Sequence, residues 1–561
     1  MSQDTDVRAA DPVLGRLAEA ILIPPFPGLS APGWMLDALG RGLAGVTLFG
    51  QNISAPDQVS ALTAMLRSAA PGDDPVIAID EEGGDVTRVA YADGSPYPGN
   101  AALGAVDDVA LTQAVYRAIG ADLAALGINF DLAPCADVLG AADSPAVGTR
   151  SFGADTGLVS RHTAAAVAGL QSACVAACTK HFPGHGRTGT DTHEAIATIE
   201  GSLAELRLVD LPPFEAAIRA GTLAIMPSHL RVPELTGDLP ATVSAAAITG
   251  LLRGELGFTG VIVSDALEMR ATRDMFGIPG AAVLAVAAGT DLLCLGRDGS
   301  EDDYLAVRDA LVAAVRDGAL DGERLEEAAD RVARLRGGLA RARSAAPAGD
   351  SAGPAAGLAA VGSEVSRMVG PAVGLVAARR AVRISGPHQT LSRPVIIEVE
   401  PRENIAAGQF GWGLAPWAPA GSVYRVSASG RLLNGAGLGL ADTARSGPAD
   451  GGLADGGPAD GDGADGDRAD NGPADGGRVD AAGILAAAAG RSLVAVVRDA
   501  HRDEQTQSLV SALLAARPDL ILVEMGLPFW RPPEGTSYLV TYGASRASAH
   551  AAAELLGLTP A

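Results

Sequence analysis

The chain has 561 residues, 48% of them hydrophobic, and a formal net charge of −24. That length exceeds one ordinary core and indicates two or more domains, while the acidic balance excludes nucleic acid and anionic membrane surfaces, which need basic faces. Apolar stretches such as LAIM and VIV are bounded by Gly, Pro or charge and fall well short of the ~20 residues that span a bilayer, so a soluble protein with no membrane partner is expected.

In chain order, the N-terminus MSQDTDVRAADPVLGRL places acids where an export signal needs basic residues, and the expected location is the cytoplasm. From residue 18 to 296, short β-type runs then alternate with Ala-rich helical segments: AILIP (20–24), GVTLF (45–49), VIAID (76–80), INFDLA (128–133), ACVAACTKHF (173–182), TLAIMPSH (222–229), GVIVSD (260–265) and TDLLCLG (290–296). Strands alternating with helices predict parallel sheet. Eight such units fit a (β/α)8 TIM-type barrel better than a doubly wound sheet. Cys135, Cys174, Cys178 and Cys294 lie inside apolar runs without Cys-x-x-Cys spacing, as packed, reduced thiols do.

Polar residues close five of these runs. Asp80 and Glu82 end the third, Asp137 follows the fourth, Lys180 and His181 end the fifth, His229 the sixth and Asp265 the seventh. In a barrel, carboxyl ends converge on one mouth, where active sites are built.

The barrel is assigned to 12–343, a linker (SAAPAGDSAGPAAG) to 344–357, and a C-terminal α/β sandwich domain to 358–561. The sandwich reads from PVIIEVEP (394–401), SLVAVVRDA (492–500), the helix-like EQTQSLVSALLAAR, LILVEMG (520–526) and SYLVTYG (537–543), and its polar residues form no evident catalytic set. An acidic Gly/Ala/Asp repeat interrupts it at 445–480, with nine Asp against two Arg between Gly447 and Asp480. Such composition offers too little apolar burial to offset chain entropy and predicts disorder. The five-residue period also lacks the nine-residue, apolar-anchored pattern of calcium solenoids.

KHFPGHGRTGTDTHE (180–194) gathers His181, His185 and His193. A metal site is the superficial reading. However, His181 to His185 crosses Pro183 and Gly184, so the pair cannot share a helical face as zinc-binding i, i+4 histidines do. The Gly/Pro-rich stretch reads instead as a loop able to act as a lid.

GVTLFGQNI (45–53), IAIDEEGGDVTRV (77–89), LGINFDLAPCADV (126–138), GTRSFG (148–153), KHFPGHGRTGTDTH (180–193), MPSH (226–229), PATVS (240–244) and LLRGELGFTGVIVSDALEM (251–269) together resemble glycoside hydrolase family 3, in its exo-β-N-acetylglucosaminidase branch. The resemblance implies a retaining exo-β-N-acetylglucosaminidase. Asp265 would be the nucleophile forming a glycosyl-enzyme, with Asp191 and His193 as the acid/base pair. Asp80, Arg88, Arg150, Lys180, His181 and His229 would bind the sugar. No cofactor or metal is implied; the partner would be a GlcNAc-terminated glycan or peptidoglycan-derived muropeptide. A histidine acid departs from the usual retaining pair of carboxylates, yet an imidazole beside a carboxylate keeps a transferable proton near neutral pH. The chain departs from the family pattern at Ala266, where a second Asp is common, at Asp85, where a basic residue is common, and after His193, where EAIATIE lacks a common proline. A β-glucosidase or β-xylosidase, a GlcNAc phosphorylase and a non-catalytic sugar-binding protein are the competing readings.

Overall fold

The computed structural model describes residues 11–70, 72, 74–140, 144–189, 196–345, 370–387, 390–401, 406–408, 413–430, 432–434, 484–486 and 488–558. Each of the eight predicted runs contains a strand: β1 (Leu22–Ile23), β2 (Gly45–Leu48), β3 (Val76–Ile79), β4 (Phe130–Asp131), β5 (Ala176–Phe182), β6 (Ala224–Pro227), β7 (Val261–Ile262) and β8 (Leu293–Cys294). Strands β2 to β7 form one parallel sheet in sequence order, and β1 pairs with β8. Two contacts complete the ring. A parallel bridge between Val263 and Leu292 joins β7 to β8, and Thr47 closes β1 against β2 by donating its backbone N–H to the Pro24 carbonyl and its hydroxyl to the Ile23 carbonyl.

The barrel strands are buried throughout, which is why they read as unbroken apolar runs rather than alternating ones. Helices cover them. Val109–Ala125 and Thr156–Ser172 begin at Asp108 and Asp155, whose carboxylates accept from the Leu111 and Leu158 amides; each such cap is worth about 1 kcal/mol. Helix Gly322–Ala345 is tied to segments that precede two of the strands. Its Arg324 and Arg331 join Arg253 on buried Asp291, just before β8, and its Arg343 joins Arg67 on Asp74, just before β3.

The second domain, described from Gly370, holds a seven-stranded sheet. Its strands are β9 (Arg383–Ser385), β10 (Val395–Val399), β11 (Val423–Val426), β12 (Leu432–Asn434), β13 (Leu493–Val497), β14 (Ile521–Glu524) and β15 (Ser537–Val540), in the order β12-β11-β10-β13-β14-β15-β9. The central five are parallel, and β12 and β9 run antiparallel at the edges. Hydrophobic clusters lie on both faces, packed by helices including Glu504–Ala516 and Arg546–Leu555. This is the expected α/β sandwich.

The last barrel helix runs to Ala345, two residues past the assigned boundary. The rest of the linker, the acidic repeat, Asp191 and His193 lie outside the described residues. All four cysteines are free thiols, three of them buried. Among the described residues no single helix is long and apolar enough to cross a membrane.

Candidate active site

The carboxyl ends of β3 and β5 supply the centre of the barrel mouth. The Lys180 ammonium lies between Asp80 Oδ1 at 2.6 Å and Glu82 Oε1 at 2.8 Å. Glu82 also receives the Arg150 guanidinium side-on, Nη2 to Oε1 at 2.7 Å and Nε to Oε2 at 3.0 Å. The register between β5 and β6 shifts between Lys180 and Phe182, an irregularity of the kind that re-aims side chains at strand ends.

Burial alone would push the Glu82 carboxyl up, but Arg150 and Lys180 outweigh it and hold the group well below the usual carboxylate range. The same balance keeps Lys180 charged. Burial opposes its charge, and Asp80 and Glu82 raise its pKa despite that burial. A fixed charge pattern in a low-dielectric wall suits recognition of sugar hydroxyls, because its donors and acceptors need no reorganisation when a ligand arrives.

Asp137, after β4, organises the neighbouring corner. Its Oδ2 lies 2.7 Å from His181 Nδ1 and accepts from the Cys135 thiol at 3.1 Å, while its Oδ1 accepts from the His185 amide at 2.7 Å. Burial would raise the Asp137 carboxyl; His181 outweighs it and holds the group well below its ordinary value. On the other side of the ring, His181 Nε2 sits 3.3 Å from Arg150 Nη2. An arginine can only donate, so this contact makes Nε2 the acceptor and Nδ1–H the donor to Asp137.

Cys135, Asp137 and His181 therefore bring three ligand-type atoms within 4.8 Å of one another. Thiol and imidazole already share the Asp137 oxygen, and the Arg150 charge opposes a cation there. His185 is buried, with Nδ1 3.1 Å from the Thr188 hydroxyl. It shapes the loop.

Asp265 follows β7, and its Oδ1 accepts from the Ala266 amide at 2.8 Å. Burial pushes the Cys178 and Cys294 thiols up; Lys180 and Thr47 respectively oppose it, and the Asp80 and Asp265 carboxylates add to it at both. His229 is fully buried and its Nε2 lies 2.9 Å from the Ala266 carbonyl, next to Asp265. Arg88 lies 3.9 Å from Asp80 and donates at 2.9 Å to the Ala406 carbonyl of the second domain.

Exposure ranks the expected sugar-binding residues. Side chains of Asp80 and Arg88 are 18% and 16% accessible, His181 10%, Arg150 8% and Lys180 3%. Asp80 and Arg88 are thus the most accessible of the five, and nearly buried Lys180 holds Asp80 at 2.6 Å. The sequence places Glu82 and Asp137 at the mouth as strand-end residues, without a specific binding or catalytic role. Glu82 accepts from two expected residues, Lys180 and Arg150, and Asp137 from one, His181; their position next to a run was the available signal.

Comparison with known proteins agrees with this architecture. The pattern of the glycosyl hydrolase family 3 N terminal domain matches residues 38–335. A β-hexosaminidase of Stenotrophomonas maltophilia (strain K279a) is 38% identical over 256 residues, covering 45% of this chain and 75% of that one. The structure of a glycoside hydrolase family 3 β-N-acetylglucosaminidase from Paenibacillus sp. str. FPU-7 superposes with a TM-score of 0.75 at 28% identity, over 98% of this chain and 97% of that one. A β-N-acetylhexosaminidase from Beutenbergia cavernae DSM 12333, 30% identical with a TM-score of 0.52, covers 58% of this chain and 99% of its own. The chain thus belongs to glycosyl hydrolase family 3, on its β-hexosaminidase branch, and is a glycoside hydrolase.

Proposed function

We propose that the chain is a retaining exo-β-N-acetylglucosaminidase that removes terminal β-linked GlcNAc, with muropeptides derived from peptidoglycan as the natural substrate class. The observation that carries this reading is the barrel mouth itself, where Asp80, Lys180, Glu82 and Arg150 form one charged network and Asp265 stands at the end of β7. Retention requires a nucleophile on one face of the sugar and a group that first donates and then accepts a proton on the other. Asp265 takes the first role: its carboxylate attacks the anomeric carbon as the glycosidic bond breaks. His193, backed by Asp191, takes the second by protonating the departing oxygen and then deprotonating water. Asp80, Arg88, Arg150 and His181 hold the sugar, and Lys180 fixes Asp80.

An aryl β-N-acetylglucosaminide is the direct substrate for a test. The wild type should release the phenol, and Asp265→Asn should lose at least about 10³-fold in kcat, the order seen when a covalent nucleophile is removed. Near-full activity of Asp265→Asn would overturn the assignment. Faster turnover on aryl glucoside would indicate a β-glucosidase instead, and formation of GlcNAc-1-phosphate in phosphate buffer a phosphorylase.

A further inference from the structure

Asp85 is a barrel residue with a partner in the other domain. Its side chain is 2% accessible, and its Oδ2 lies 2.6 Å from Nη2 of Arg498, which is 7% accessible. The same oxygen accepts from the Thr149 hydroxyl at 2.5 Å, and Oδ1 accepts from the Ala544 amide at 2.7 Å. Burial works against the Arg498 charge, and Asp85 outweighs it and raises the guanidinium pKa.

What this anchor holds is the sugar pocket. Asp85 is three residues beyond Glu82, and the two residues between them, Gly83 and Gly84, have φ of +77° and +61°. A Cβ on Gly84 would come within 2.4 Å of Gly99 Cα, so the turn packs too closely to carry side chains of its own. Its side-chain tether is therefore Asp85. On the facing segment, Thr149 in the single 3-10 turn Gly148–Arg150 immediately precedes Arg150, the residue that grips Glu82.

Arg502, four residues after Arg498, donates to the Ser144 carbonyl at 2.8 Å and lies against Gly148, where an added Cβ would meet its guanidinium at 3.1 Å. One short segment after β13 thus grips both ends of residues 144–150.

We propose that Arg498 is a positioning residue for the sugar pocket, fixing Asp85 and, through Thr149 and the Gly83–Gly84 turn, the mutual placement of Arg150 and Glu82. The proposal rests on reading the barrel mouth as the sugar-binding site. Displacing a binding constellation by about 1 Å from a distance costs on the order of 10²-fold, and a buried carboxylate deprived of its cation is the kind of defect that moves a turn.

The test compares wild type, Arg498→Ala, Arg498→Lys and Arg380→Ala on an aryl β-N-acetylglucosaminide, with thermal melts alongside. Arg380 makes a comparably close ion pair across the domains, 2.7 Å to Asp108, whose carboxylate caps helix Val109–Ala125 and is not part of the pocket network. Arg498→Ala should lose about 10²-fold in kcat/KM, with KM raised about tenfold, and Arg380→Ala should stay within about twofold.

Arg498 also lines a cavity of about 120 Å³ at the carboxyl ends of β10 and β13. Millimolar guanidinium should therefore restore much of the Arg498→Ala loss. Arg498→Lys should recover less than guanidinium does, because an ammonium lacks the planar fork.

Arg498→Ala within about twofold of wild type overturns the proposal. So does a loss that guanidinium leaves untouched and Arg380→Ala shares. If the wild type releases no phenol, the enzymatic reading falls, and GlcNAc affinity by calorimetry decides the positioning role on the same variants. Equal affinity across them, or none in the wild type, then overturns it.

Discussion

Two buried glutamates, Glu82 in the barrel and Glu524 in the sandwich, follow or end parallel strands, and they behave oppositely. Glu82 faces two cationic side chains, which hold its carboxyl down against burial. Glu524 faces the amides of Asp499, Ala500 and Gly526, at 2.7, 3.2 and 2.7 Å; burial and the nearby Asp499 carboxylate push it up to about 8. A carboxylate at a strand end is therefore not a site by position alone. In the barrel it meets side chains that a ligand can approach, while in the sandwich it satisfies backbone donors and closes the turn after its own strand.

The sharpest way to break this contrast is Glu82→Gln. It leaves Lys180 and Arg150 without their shared anion, and a loss of about 10²–10³-fold in kcat/KM is expected, together with about 3 kcal/mol of stability. Steady-state kinetics and denaturant titration read both; activity within a few-fold of wild type would put Glu82 in the same class as Glu524.

A smaller effect is expected from Gly184→Ala. Gly184 has φ +127°, and an added Cβ would lie 2.7 Å from Asp210 Cβ. A cost of about 1–3 kcal/mol follows from the strained backbone, and kcat should fall with it because this loop leads toward His193.

The smallest effect on turnover, within about twofold, is expected from Glu524→Gln. Its signature is in pH. The folded state holds a proton on Glu524 that an unfolded glutamate releases near 4.5, so this group's stabilising contribution is full below about 4.5 and is lost as pH rises through about 8. Glu82 has the opposite sign, contributing fully above about 4.5 and less as pH falls toward its lowered folded pKa. Scanning calorimetry between pH 5 and 9 should show a decline in the Tm of the sandwich that Glu524→Gln flattens. An unchanged slope would remove Glu524 as its source.

The barrel was readable because its strands are short apolar runs separated by helices, and each of the eight runs holds a strand. The sandwich was readable at four of its five central strands; β11, short and mostly half-buried, was missed. Its outer strands gave no such signal: β9 is three exposed residues and β12 is equally short, and edge pairing depends on neighbours far away in the chain.

The site divides similarly. Asp80, Arg88, Arg150, Lys180, His181 and Asp265 were named from motifs, and the structure gathers the first five in one corner. What motifs could not convey is who holds whom. His229 meets the Ala266 carbonyl, and Asp85, visible in the sequence only as an odd residue in a familiar segment, acquires its meaning from an arginine 413 positions away.

That pairing bears on where the chain can be divided. The Beutenbergia cavernae structure matches 58% of this chain with 99% of its own, which invites trimming the present chain to match. A barrel ended at 345 would keep Asp85 and lose Arg498 and Arg502, leaving an extra uncompensated negative charge three residues from Glu82. Chimeras that exchange second domains between relatives meet the same constraint: a donor domain must bring a cation to that spot, or the recipient barrel must give up its aspartate.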